Sequence, residues 1–114
     1  MENFNNLKVY REAFALTKDV FRCMEGKRMS WRAREQLLAA VSSICANLAE
    51  MAAHDSVSAK RQKAVICVGE ANETEFWLDL CHSLGIIQNE EHARFTSSLS
   101  RIRSMLCALI KTMN

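Results

Sequence analysis

The chain has 114 residues, 49% hydrophobic and 25% charged, with three glycines and no proline. That balance is too apolar for a disordered chain, matches one domain with a modest core, and lacks the turn residues that β-sandwiches and barrels need. The formal net charge is only +2. No run approaches the roughly 20 apolar residues that span a bilayer, and the first residues lack the basic-then-apolar order of a signal peptide, so a cytoplasmic protein without a membrane partner is expected.

In chain order, the first helix is predicted near 6–25, where Leu7, Tyr10, Phe14, Thr17, Phe21 and Met24 recur at steps of three and four. Asn5 or Asn6 is placed to cap it and Gly26 to stop it. Ser30 then caps a second helix near 31–53. Its stripe of Trp31, Leu37, Leu38, Val41, Ile44, Cys45, Leu48 and Ala52 is wide enough for two neighbours. From His54 to Ser58 there are capping side chains and no apolar period, so the chain reverses there.

A third helix near 58–83 places Val65, Val68, Phe76 and Leu80 on one face, with Ala71, Thr74, Leu78 and Cys81 beside them, and ends at Gly85. The fourth, near 90–112, has Asn89 as its expected cap and Glu90-Glu91 in the first turn, where the helix dipole favours carboxylates. Phe95, Leu99, Ile102, Leu106, Leu109 and Met113 give it the clearest period in the chain. Four such helices with short connections pack most simply as one all-α domain over residues 1–114, an antiparallel up-down-up-down four-helix bundle.

Catalytic chemistry finds little footing. Cys23, Cys45, Cys67, Cys81 and Cys107 are odd in number, have no C-x-x-C spacing and sit in apolar patterns, which favours reduced core thiols over thiol chemistry or metal binding. A carboxylate-bridged metal pair needs a Glu-x-x-His motif twice, and the sequence offers only Asp79 three residues before His82. His82 fits better as a side chain favoured by the helix C-terminal dipole. No enzyme, metal or cofactor is expected.

Polar residues in the central parts of helices 2 and 3 are Asn47, Glu50, Glu70, Asn72, Glu73 and Glu75, and polar groups there need partners. The reading is structural: Asn47, Glu50, Glu70 and Glu75 form a buried network that fixes helix register or a subunit contact. An acid–base pair is the alternative, without a Ser, Cys or His constellation around it.

Charge is segregated along the chain. Residues 64–92 hold six acids and no Lys or Arg, residues 1–63 eleven bases and seven acids, and residues 93–114 four bases and no acid. In the up-down-up-down order one pole collects Lys8, Arg11, Lys60, Arg61, Lys63, Arg103 and Lys111 against Glu2, Glu12, Glu50 and Asp55. Such a patch suits phosphates. Its bland counterpart is a solvated face with pairs such as Lys8 and Glu12. Trp77 and the acids near it are assigned to a contact with Arg94, Arg101 or Arg103 of a second copy.

Several segments together carry a family resemblance: Leu7-Lys8-Val9-Tyr10 with Ala13, the run from Ser43 to Glu50, the run from Gly69 to Leu78, and Leu84-Gly85-Ile86-Ile87. In this order they resemble the bacterial four-helix-bundle proteins encoded in intervening sequences of 23S rRNA genes. One departure is Met51, where the family usually has Gly, so helix 2 has licence to run on. The resemblance implies a homo-oligomer, a ring of five. It also touches the related accessory variability determinant proteins of diversity-generating retroelements, which engage a reverse transcriptase and nucleic acid. The function expected is a non-enzymatic oligomeric scaffold that binds RNA, DNA or a ribonucleoprotein. The alternative is a protein–protein interaction module without nucleic acid.

Overall fold

Two glycines in the left-handed region, Gly26 with φ 73° and Gly85 with φ 75°, end the first and third helices where those expectations placed them. A computed structural model describes residues 3–113. After one 3-10 turn at Phe4–Asn6 come α1 (Lys8–Met24), α2 (Trp31–Met51), α3 (Val57–Ser83) and α4 (Asn89–Lys111), with no strand among the described residues. None of these helices is long and apolar enough to cross a membrane.

Helix starts follow side-chain capping. Ser30 accepts from the Ala33 N–H and Ser56 from the Ala59 N–H, each at 3.1 Å. Two expected caps move. Asn3, not Asn5 or Asn6, accepts a backbone N–H, and it caps the 3-10 turn, so α1 starts at Lys8 without a side-chain cap. At α4 the cap is Gln88, one residue before Asn89, because Glu91 reaches back to the Gln88 N–H at 2.8 Å and completes a capping box. Helix α2 stops at Met51 even without a glycine there, as Ala53 N–H and His54 N–H turn back onto Glu50 and Met51 carbonyls.

Helix α1 packs on α2 and α4, and α3 packs on the same two. Every neighbouring pair is antiparallel, because positions in contact rise along one helix as they fall along the other. Thr17 reaches the Val41 carbonyl and Arg34 the Met24 carbonyl across α1 and α2. Ile44 meets Cys67 and Glu50 meets Lys63 across α2 and α3. Asp79 pairs with His92 and Glu75 with Arg103 across α3 and α4, and α1 meets α4 at Glu12 with Arg101 and Cys23 with Glu91. The body measures 43 × 23 × 20 Å.

Two faces differ from expectation. On α1 the buried residues are Val9, Ala13, Leu16, Val20 and Met24, while Phe14 and Phe21 stand exposed. On α3 the small set Ala64, Cys67, Ala71 and Thr74, with Leu78 and Cys81, faces inward, and Val65, Phe76 and Leu80 face out. Both helices carry two apolar faces, and periodicity does not say which one is inside. Trp31 of α2 is also exposed. Helix α4 behaves as its period demands, with Phe95, Leu99, Ile102 and Leu106 fully buried.

Candidate nucleic-acid interface

The 3-10 turn, the end of α2, the start of α3 and the end of α4 converge on a hollow of about 150 Å³ lined by Phe4, Leu7, Met51, Ala52, Lys60, Leu109 and Met113. Around it Lys8, Arg11 and Arg61 are exposed. Among the described residues none of these three is ion-paired; Arg11 donates to the Asn6 carbonyl at 3.0 Å. Lys60 donates to the Met51 carbonyl at 3.4 Å, leaving its ammonium without a carboxylate. Glu2, counted against this pole, lies outside the described residues.

Two assigned bases are spoken for. Lys63 sits 2.7 Å from Glu50, and Arg103 lies on the α3–α4 flank, 2.7 Å from Glu75, rather than at the pole. Lys111 closes α4 near the pole and has an interaction of its own. Glu12 pairs with Arg101 at 3.5 Å, not with Lys8. A phosphate arriving at the pole therefore meets Lys8, Arg11, Lys60 and Arg61 without displacing a carboxylate of the described residues, whereas Lys63 and Arg103 would have to trade one.

The polar residues of α2 and α3 do not form one buried network. Asn47 donates to the Ser43 carbonyl of its own helix at 2.8 Å. Glu50 is exposed, and its bond to Lys63 holds its carboxyl below the usual range. Glu70 faces Ser43 on α2, and burial, then the neighbouring Glu73, pushes its carboxyl up. Glu75 turns the other way, to Arg103 on α4, in a contact of ion-pair distance that misses the hydrogen-bond axis, because the same oxygen is otherwise unbonded. Helical spacing explains the split: Glu70 and Glu75 are 140° apart around α3, and only one of them can face α2.

At the opposite pole the structure builds a clamp that sequence spacing did not reveal. Glu91 accepts from Cys23 Sγ at 3.0 Å, from the Gln88 N–H, and from Lys27 at 3.3 Å. Those donors, Cys23 foremost, hold its carboxyl down at about 2. Burial and then Glu91 raise the Cys23 thiol to about 11. Cys67, buried, is pushed up to about 12, so neither thiol is poised as a nucleophile. Cys107 is exposed rather than a core thiol. His82 does more than sit at a helix end: it contacts Asn89 at 2.7 Å and stacks on His92 at 4.1 Å. No group of three or more His, Cys, Asp or Glu among the described residues is placed to hold a metal ion.

Of the assigned subunit-contact residues, Trp77 lines a shallow apolar groove with Met29, Ala33, Leu80 and Leu84, and its buried indole N–H has no acceptor. Arg94 lies over the Phe95 ring at 5.0 Å, and Arg101 is engaged by Glu12, Ser97 and Ser98.

Residues 5–108 match the family described as 23S rRNA-intervening sequence protein. Among solved structures, the chain is similar to a protein of unknown function from the S23 ribosomal protein family of Bacteroides thetaiotaomicron VPI-5482. The two are 24% identical with a TM-score of 0.83, over 90% of this chain and 98% of the other. At that identity the likeness establishes the fold alone. No curated protein matches the chain.

Proposed function

Since the chain belongs to the family of 23S rRNA-intervening sequence proteins, we propose that it is a non-enzymatic scaffold that assembles with copies of itself, as a ring of five, and binds nucleic acid at its basic pole. The observation that carries this reading is the set Lys8, Arg11, Lys60 and Arg61, gathered at one pole with no carboxylate bound to any of them among the described residues. One copy offers few phosphate contacts. A closed assembly repeats the pole once per subunit, and multivalency turns weak contacts into useful affinity. The retroelement role, with a reverse transcriptase as partner, rests on the sequence resemblance alone.

A salt series with RNA and DNA oligonucleotides tests the binding. Each neutralised phosphate contributes a slope of about −0.7 in log affinity against log salt on a single strand. Lys60→Ala with Arg61→Ala should weaken binding and flatten the slope, while Lys63→Ala should do less, because its ammonium is already held by Glu50. If the parent shows no salt-sensitive binding, the basic pole is a solvated surface. The exposed apolar faces of α1 and α3 then favour a protein–protein module.

A further inference from the structure

We propose that copies of this chain join head to tail, the aromatic and basic outer face of α1 in one copy seating on the apolar and acidic outer face of α3 in the next. This rests on the assembling reading above and names the two surfaces that would carry it.

Each face is a seam rather than a scatter of apolar residues. On α1, Tyr10, Phe14 and Phe21 keep helical steps along one side, with Phe14 46% and Phe21 42% exposed. On α3, Val65, Phe76 and Leu80 form a matching stripe, with Phe76 55% exposed. The two helices are diagonal in the bundle, each packing on α2 and α4. The two helices make no contact with each other, so neither stripe can cover its counterpart within one copy.

Shape and charge agree on the pairing. Gly69 lies between Val65 and Phe76, and a Cβ there would meet nothing within 4 Å, so its own subunit gives no steric reason for glycine. The bare backbone leaves a notch in the stripe where a side chain would otherwise stand. Lys18 and Arg22 flank the α1 aromatics, Lys18 over the Phe14 ring at 5.4 Å, and neither is ion-paired among the described residues. Glu73 flanks the α3 stripe with Glu70 beside it, neither bound to a cation among the described residues, and burial, then Glu73, raises the Glu70 carboxyl. Basic beside aromatic thus meets acidic beside apolar, which steers encounter and fixes register. Because the two faces differ, each copy presents one of each, the arrangement that closes into a ring or extends as a filament.

The test is mass by light scattering coupled to size exclusion, with circular dichroism to verify folding. Phe14→Asp breaks only the α1 face and Phe76→Asp only the α3 face, so each alone should run as a 13.0 kDa monomer. Mixed, they should form a 1:1 dimer, since one copy keeps an intact α1 face and the other an intact α3 face. Lys18→Glu with Arg22→Glu should disperse the assembly, and adding Glu70→Lys with Glu73→Lys should restore it. An oligomer that survives both aspartate variants overturns the face assignment while leaving assembly standing. Dispersal without pairing in the mixture overturns the head-to-tail geometry. Loss of oligonucleotide binding with unchanged mass makes the α1 stripe a base-stacking surface and overturns the proposal. A monomeric parent removes the assembling reading itself.

Discussion

Helices α3 and α4 are of similar length and lie side by side, yet they are written differently. In α4 Phe95, Leu99, Ile102 and Leu106 share one face and are buried, with Met105, Leu109 and Ile110 partly buried near its end. In α3 the inner face is mostly small residues around Leu78, while Val65, Phe76 and Leu80 stand outside. The contrast separates a helix whose main apolar stripe is closed within the chain from one that leaves Val65, Phe76 and Leu80 exposed.

The largest expected effect sharpens that contrast. Leu99→Ala in α4 should cost about 2 to 5 kcal/mol by emptying a closed core site. Phe76→Ala in α3, measured on dispersed protein, should change stability by no more than about 0.5 kcal/mol, as for an ordinary surface position. Denaturant melts of the two variants decide it. Equal losses would mean that the outer side chains of α3 already belong to the fold.

Next in size is the Glu91 clamp, which anchors the first turn of α4. Glu91→Ala should cost about 1 to 3 kcal/mol, since it removes a capping box and leaves the Cys23 thiol and the Lys27 ammonium without their acceptor. The pH dependence has a definite sign. The carboxyl is depressed to about 2 in the folded chain, so its contribution is complete above the ordinary glutamate range and is lost as pH falls toward about 2. Melts of parent and variant should therefore converge between about pH 4.5 and pH 2. A gap that stays constant to pH 2 would show that the clamp acts through packing instead.

Gly69→Ala has the smallest and most telling effect. In a dispersed copy it should stabilise α3 by about 0.5 to 1 kcal/mol, because a mid-helix glycine is costly and the space outside is open. Assembly should weaken at the same time. A substitution that raises the melting temperature of the monomer and strengthens the oligomer would deny the notch its role.

How much of this was legible in the sequence follows from physics at particular residues. Ser30, Gly26 and Gly85 announce helix ends because capping and positive φ are local properties, and the four-helix order follows from them. The inner face of α4 was readable because it has one apolar stripe. Helical spacing puts Phe14 and Phe76 each on one apolar face, but spacing does not rank two apolar faces, and packing turns Ala13 and Leu16 of α1 and Ala71 and Leu78 of α3 inward instead. The pairing of Glu91 with Cys23 and Lys27 joins residues 68 and 64 positions apart, beyond the reach of any local pattern. Arg103 was placed at the pole by counting helices, whereas its register against Glu75 depends on tertiary packing.

The central claim is that this chain acts as an assembly, and the mass of the parent protein in solution tests it most directly. Light scattering at micromolar concentration should give an integral multiple of 13.0 kDa, fivefold for the proposed ring. A single species at 13.0 kDa, unchanged as concentration rises, would contradict the account.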